Sequence, residues 1–438
     1  MSEKEQLLQK IQSKAATVGV IGLGYVGLPL ALVFEEAGFP VLGFDVDAKK
    51  PDALLRGESY IKHIGPGRVA AAFARGRISA TTDFSRLSRC DAILICVPTP
   101  LGRHREPDIT YIQRTAEAIT AHSRRGQLVI LESTTYPGTT REEILPRLEA
   151  KGLKCGTDVF IAFSPEREDP GNPTFHTQNI PKVVGGIDAA SGDVAEALYA
   201  AALEKVIRVS TAEVAESGKL LENIFRSVNI ALVNELKVVF DKMGIDVWEV
   251  IEAAKSKPFG FMPFYPGPGI GGHCIPLDPF YLSWKAAEHG AWARFIELAG
   301  EINASMPHYV VDKTVKALNE QGKSIKGAKV LVLGLSYKAD IDDDRESPSY
   351  ELIDLFDGLG AEWAYCDPFI PRAHLGRKNK RQMSSVPCTK GEFARYDALV
   401  VATAHKVFKD AGLYENVRLV VDARNIVRPS PAFQLVKA

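Results

Sequence analysis

The sequence predicts an α/β protein made of two Rossmann-like doubly wound domains joined by a central helical domain with one long helix. Three observations predict this. Short apolar runs of strand length alternate with helical stretches up to about residue 205, as in a sheet whose strands are covered on both faces. The stretch from Thr211 to Gly244 then contains no proline and a single internal glycine, Gly218. From Lys326 the strand, loop, helix, strand pattern returns. At 438 residues the chain exceeds what one core supports. The expected divisions are 1–208, 209–319 and 320–438.

The first domain opens with a βαβ unit: "TVGVIGL" as strand, "GYVGLPLALVFEEAG" as glycine turn and helix, "FPVLGFDVD" as the next strand. Further strands are expected at "DAILICVP", "GQLVILEST", "VFIAFSPE" and "PKVVGG", giving a parallel sheet. The uncharged run Ala15 to Phe34 superficially resembles a membrane span or signal segment. Its four glycines and one proline have a better explanation in the turn, and no other segment is long and apolar enough to span. The long helix is apolar on several sides, which predicts burial against another domain or another subunit. Later strands of the last domain are "KVLVLGL", "DALVVATAH" and "RLVVDARN", and no fixed-period repeat is present.

Composition narrows the function. Lys and Arg number 53 against 54 Asp and Glu, so no basic block marks a nucleic-acid or membrane surface as the main partner. A small molecule is the expected partner. The six cysteines are scattered without C-x-x-C spacing, which predicts neither a disulfide framework nor a metal site and suits the cytoplasm.

Gly22, Gly24 and Gly27, with Tyr25 and Val26 between them, form "GLGYVG" after a strand and at the start of a helix. Asp45 ends the next strand about 20 residues on, where a carboxylate accepts hydrogen bonds from the adenosine ribose of NAD and repels the 2′-phosphate of NADP. The combined context predicts an NAD site; Lys50 nearby is the one feature pulling towards NADP. Lys219 and Asn223 share a helix face and could hold a substrate hydroxyl or oxyanion, although on spacing alone an exposed pair is the simpler reading. Glu222 and Arg226 repeat that spacing and are expected to form a surface ion pair. In "SYKADIDDDRESPS", Lys338 and Arg345 either neutralise phosphate groups or sit in a solvated loop of mixed charge.

The loop "GPGIGGHCIPLDP" carries Cys274, which is a buried spacer, a metal ligand or a nucleophile. Metal is disfavoured, since His273 beside it points away in an extended loop and no second Cys or His has ligand spacing. Burial is the stronger alternative, because cysteines are common in cores. Against it stand the flanking glycines, which admit a ligand close to the backbone, and Asp278 four residues on. A thiolate near a hydride acceptor can add to an aldehyde and pass through a thioester to a carboxylate.

These motifs, "GLGYVGLPLA", "CVPTPL", "EST", "SPER", the helix with Lys219 and Asn223, "GGHCIPLDP" and "YKADIDDDRESP", resemble in order and spacing the UDP-glucose/GDP-mannose dehydrogenases over nearly the whole chain. The resemblance implies two-step, NAD-dependent oxidation of the C6 alcohol of a nucleotide sugar to a uronic acid. It implies that Cys274 is the nucleophile, that Asp278 and Lys219 activate water, that Asn223 holds the C6 oxygen, and that Glu166 of "SPER" serves thioester hydrolysis. Thr99 and Thr134 fall on residues lining the NAD site, and Arg345 on an arginine reaching NAD. Lys338, Arg424, Arg167, Gly271 and Gly272 fall on the substrate side. Residues 1–208 are then the NAD-binding domain, 209–319 the helical dimerisation domain with the cysteine loop, and 320–438 the UDP-sugar-binding domain. A homodimer or higher homo-oligomer is implied.

Departures from the UDP-glucose pattern are informative. No arginine precedes the catalytic loop, His273 stands before the cysteine and Leu277 before the acid. With "FGFMPFYPGPG" and "REPDIT", beginning at Arg105, these resemble UDP-N-acetylhexosamine enzymes, closest to UDP-N-acetylglucosamine 6-dehydrogenases of surface polysaccharide synthesis. The N-acetylmannosamine, N-acetylgalactosamine and glucose analogues are alternative substrates. A single-step β-hydroxyacid dehydrogenase would have no use for Cys274, and a non-catalytic NAD-sensing module would leave both Cys274 and the phosphate loop without a role.

Overall fold

The computed structural model describes residues 1–61, 64–102, 106–168, 174–272, 274–375 and 381–438. His273 and Arg105, invoked above for the choice of sugar, lie outside them. The chain forms two compact units: residues 1–222 with 280–291, and residues 223–279 with 292–438.

In the first unit eight strands make one sheet: β1 (Val18–Ile21), β2 (Val41–Phe44), β3 (Ile78–Thr81), β4 (Ala92–Ile95), β5 (Gln127–Leu131), β6 (Val159–Phe163), β7 (Lys182–Gly186) and β8 (Val206–Val209). Their spatial order is β3-β2-β1-β4-β5-β6-β7-β8. The order reverses between β1 and β4, the switch point where open α/β sheets bind ligands. Residues of β1, β4 and β5 are buried throughout, as expected of strands covered on both faces. The expected parallel pairing has one exception, since β6 and β7 run antiparallel with Ala162 opposite Gly186 and Phe163 opposite Gly185.

The second unit contains a five-stranded parallel sheet. Its strands are β9 (Lys329–Leu333), β10 (Glu362–Cys366), β13 (Ala398–Val401), β14 (Leu419–Asp422) and β15 (Gln434–Lys437), ordered β10-β9-β13-β14-β15. A separate antiparallel pair, β11 (Arg372–Leu375) and β12 (Arg381–Ser384), follows β10. Two apolar clusters pack the sheet faces, one around Val330, Val332 and Phe356, the other around Leu331, Leu333 and Phe408.

The long helix spans Ala212–Lys242 without interruption, and a second runs over Arg294–Glu320 with Pro307 inside it. No helix among the described residues is long and apolar enough to cross a membrane.

Candidate active site

In the first unit the glycine turn is dictated by close approach. Gly22 has φ +91°, and a Cβ there would lie 2.4 Å from Cys96 O. A Cβ on Gly27, the first residue of the helix Gly27–Glu36, would fall 1.9 Å from Gly22 O. Gly24 is different: a Cβ would meet nothing within 4 Å, so its backbone faces open space that a ligand can enter. Tyr25 beside it is 38% exposed. Asp45, at the end of β2, is buried; it accepts from Leu23 N at 2.9 Å and Asp47 N at 3.0 Å. Lys50 Nζ lies 2.8 Å from Asp45 Oδ2, so the lysine is engaged by the acid itself.

Thr99 and Thr134 follow β4 and β5 and meet directly, Thr99 Oγ1 donating to Thr134 O at 2.8 Å. Tyr281 OH donates to Thr99 O. Behind this edge lies Glu216 of the long helix, 1% exposed, a residue no sequence pattern singled out. It accepts from Gly138 N at 2.6 Å, Thr140 N at 3.0 Å and Thr140 Oγ1 at 2.7 Å. Burial pushes its carboxyl up to about 7 against the pull of those donors. Glu216 thereby pins the turn that follows Thr134.

Glu166 turns back on its own loop, with Oε1 accepting from Arg167 N and Glu168 N, both at 2.7 Å. The Arg167 guanidinium donates to Pro181 O at 2.7 Å and lies 2.6 Å from Glu222 Oε1. This corrects the expected Glu222–Arg226 surface pair: the distant, partly buried Arg167 is the partner of Glu222. Lys219 is half-buried on the long helix.

In the second unit Cys274 is exposed and in no disulfide. Its carbonyl accepts from Asp278 N at 2.8 Å and Leu277 N at 3.2 Å, so cysteine and acid are the two ends of one tight turn. Asp278 is 2% exposed and opens the helix Asp278–Glu288. Asn223 Nδ2 donates to Asp278 Oδ2 at 2.6 Å. The amide and the acid are therefore one hydrogen-bonded pair, a link that spacing could not reveal.

The loop glycines make room for polypeptide. A Cβ on Gly271 would be 2.6 Å from Tyr337 Cβ, and one on Gly272, where φ is +91°, would be 3.0 Å from the Tyr337 ring. Gly272 N donates to Arg345 O at 3.0 Å, which docks the cysteine loop on the segment that carries Lys338. Lys338 is half-buried, and Arg345 forks onto Asp343 with Nε–Oδ1 at 2.9 Å and Nη2–Oδ2 at 2.6 Å. At the other end of the loop, buried Lys237 donates to Gly267 O at 3.0 Å and Asn234 Oδ1 accepts from Gly267 N at 3.0 Å. Arg424 Nε donates to Ala402 O at 2.7 Å while its Nη1 would lie 2.5 Å from a Cβ on Gly267. Lys237 and Asn234 had no sequence signal beyond their place on the long helix.

His405 secures the Lys338 segment. Its Nδ1 accepts from Asp340 N at 2.9 Å and its Nε2 lies 3.0 Å from Asp367 Oδ2. Although burial pushes Asp367 up, hydrogen bonds from His405, Ser336 N and Leu335 N outweigh it and hold that carboxylate at about 2.

A glycine turn with open space at Gly24, a buried carboxylate at the end of β2 and a paired cysteine-acid turn define a dinucleotide-dependent oxidoreductase with a candidate nucleophile. Comparison with known families agrees. Residues 16–203 match the NAD binding domain of the UDP-glucose/GDP-mannose dehydrogenase family, 213–305 its central domain and 331–429 its UDP binding domain. The chain belongs to that family. It is a nucleotide-sugar dehydrogenase whose cofactor is NAD, and the residues around Gly24 and Asp45 fit that cofactor.

The UDP-N-acetyl-D-glucosamine 6-dehydrogenase of Pseudomonas aeruginosa is 34% identical over 94% of this chain and 96% of its own length. The UDP-N-acetyl-D-mannosamine dehydrogenase of Escherichia coli is also 34% identical, over 94% and 99%. Among solved structures, the UDP-D-ManNAc dehydrogenase of Pyrococcus horikoshii superposes with a TM-score of 0.87 at 31% identity, covering 96% of this chain and 98% of that one.

Proposed function

We propose that the chain oxidises the C6 alcohol of UDP-N-acetylglucosamine to the carboxylate, giving UDP-N-acetylglucosaminuronate for a surface polysaccharide. The observation that carries this is the turn joining exposed Cys274 to buried Asp278, with Asn223 on the acid. Its setting in a family with NAD and UDP binding domains gives the thiol a reaction.

NAD, when bound, supplies the hydride acceptor, one equivalent for each two-electron oxidation. Gly22, Gly24, Gly27 and Asp45 would hold it, together with Thr99 and Thr134, and the family resemblance assigns Arg345 to the same cofactor. Asn223 holds the C6 oxygen as the alcohol becomes an aldehyde. Cys274 Sγ bonds to the aldehyde carbon, and oxidation of that adduct gives a thioester. Asp278 and Lys219 direct water, and Glu166 takes its proton. The C–S bond breaks with its electron pair on Sγ, and the acid leaves. Lys338, Arg424 and Arg167 hold the sugar nucleotide.

The N-acetylglucosamine assignment is supported by the Pseudomonas aeruginosa relative and by the loop "FGFMPFYPGPG". The Escherichia coli relative, equal in identity, favours UDP-N-acetylmannosamine as the second reading. Turnover of each UDP-N-acetylhexosamine and of UDP-glucose, with NADH and product counted, is the test. Two NADH per sugar and an acid from UDP-N-acetylglucosamine are expected. One NADH with a released aldehyde or ketone refutes the thioester route, and faster turnover of the mannosamine substrate refutes the choice of sugar.

Homodimerisation is part of the reading. Val214, Leu221, Phe225, Leu232 and Val239 are all more than 40% exposed, and their spacings of seven, four, seven and seven place them on one stripe of the long helix. A second copy covers that stripe. A cytoplasmic location is supported by the scattered spacing of the six cysteines in the sequence.

A further inference from the structure

The first sheet buries a set of charges that the reaction above leaves unused. Lys182 opens β7 and is 5% exposed, while Glu132 just after β5 and Tyr199 on the helix Ala189–Ala200 are both fully buried. Lys182 Nζ donates to Glu132 Oε2 at 2.6 Å and to Pro165 O at 3.1 Å. Tyr199 OH donates to the other oxygen of Glu132. An ammonium has three donors, and among the described residues two of them are used. Glu166 Oε2 stands 3.8 Å from Nζ, beyond a hydrogen bond but within ion-pair reach.

Topology makes this meeting systematic. The β6/β7 register, continued three residues past Phe163, sets Glu166 opposite Lys182. Glu132 follows β5, the parallel neighbour of β6, so its side chain rises at the same edge. Burial alone would drive Lys182 towards neutrality, but the carboxylates of Glu132 and Glu166 more than restore its charge.

We propose that Lys182 is a positioning residue for Glu166: clamped by Glu132 and Tyr199, its ammonium draws the Glu166 carboxylate towards it and aims it for thioester hydrolysis. The proposal rests on the reading that Glu166 takes the proton of the attacking water. In that step the water oxygen bonds the thioester carbon, the proton passes to Glu166, and the C–S bond breaks with its electron pair on sulfur, with no net oxidation. Backbone amides of Arg167 and Glu168 hold the other oxygen, Oε1, both at 2.7 Å, and the remaining groups facing this carboxylate do not replace the ammonium. Arg167 sends its guanidinium to Glu222 and Pro181 O. Glu168, with Arg68 and His176 near it, and the Cys96 thiol interact electrostatically with Glu166 but bring no cation as close as Lys182.

The test uses the full chain with NAD and whichever UDP-sugar it turns over, reading acid formation against pH and quenched thioester by mass. Lys182→Met is expected to move the acidic limb of the profile up by about one pH unit, the low end for losing a neighbouring opposite charge, and to accumulate thioester. Glu132→Gln removes the competing anion and is expected to move the limb down. NAD affinity stays at the parental value in both. Opposite shifts are what a purely structural role cannot produce; limbs that stay in place or move together overturn the proposal. If Lys182→Met does not fold because Glu132 is left unpaired, the Lys182→Met/Glu132→Gln double variant replaces it, with a smaller upward shift expected because loss of the Glu132 anion works the other way. Glu166→Gln separates the layers. Parental hydrolysis in that variant overturns the role of Glu166 and the proposal with it. A stalled thioester in Glu166→Gln alongside unmoved limbs in the Lys182 and Glu132 variants overturns the proposal alone.

Discussion

Replacing Lys237 by methionine should make the protein more stable at pH 6, although a hydrogen bond is lost. Lys237 is 4% exposed, and its ammonium has Gly267 O at 3.0 Å and the Tyr309 ring centroid at 5.0 Å. Burial first, then the charges of Arg424 and Lys313, outweigh attraction by Asp241 and bring it from 10.5 to about 7. In the unfolded chain the amine titrates near its ordinary value, so between about pH 7 and pH 10 the unfolded state holds more protons. Stability from this group therefore rises with pH across that window and is lowest below it. A fall of about 3.5 units at 1.36 kcal/mol each puts the ceiling at about 5 kcal/mol. Methionine keeps the length, removes the charge and forfeits about 1 kcal/mol with the Gly267 bond. Denaturant midpoints of parent and variant at pH 6, 8 and 10 provide the assay, since other titrating groups cancel in the difference. The variant should lead at pH 6, and the parent should close the gap as pH rises. A variant less stable at pH 6, or two parallel pH curves, would show that the ammonium is well solvated or well paired and refute the reasoning.

Three further outcomes follow from the site geometry. Cys274→Ala should abolish acid formation while the NAD dissociation constant, read by fluorescence titration, is unchanged; undiminished turnover would refute its role as nucleophile. Asp45→Ala should weaken NAD binding by roughly tenfold, the cost of one charge-assisted hydrogen bond, and reduce discrimination against NADP because Lys50 loses its partner. Gly27→Ala should abolish NAD binding or folding, since its Cβ would sit 1.9 Å from the backbone oxygen of Gly22, whereas Gly24→Ala should fold normally and lose only affinity, because among the described residues nothing beyond its chain neighbours lies within 4 Å of the added Cβ. Thermal unfolding beside NAD titration tells those two apart.

Much of this was legible because the constraints are local. The turn at Gly22 and Gly27 follows from backbone approach inside one βαβ unit, so the spacing itself carries the geometry. The long helix declared itself by the absence of breakers. What stayed hidden depends on partners far along the chain. Arg167 and Glu222 are 55 positions apart, and nothing in the helix pattern reveals that a distant guanidinium outcompetes Arg226. Asn223 and Asp278 are likewise 55 positions apart, so their pairing needs the tertiary fold. Gly271 and Gly272 announced a close approach without saying to what, and the neighbour is Tyr337. The reversal of β7 was invisible because "PKVVGG" has the same apolar character in either direction.

That reversal bears on why a buried ion pair persists here at all. In a wholly parallel sheet every strand enters from the edge away from the switch point, so its first residue lies at the opposite end from the loops that bind ligands. β7 runs against β6, and its first residue, Lys182, reaches the edge where Glu132 and the "SPER" loop emerge. Taking two charges from water costs several kcal/mol per ion, and apolar residues of similar volume are often at least as stabilising. Stability therefore gives no reason for Glu132 and Lys182 to face each other with Tyr199 as a third member. The position of the charge does. An apolar pair would fill the same space, but only an ammonium at that edge interacts with Glu166 Oε2, 3.8 Å away.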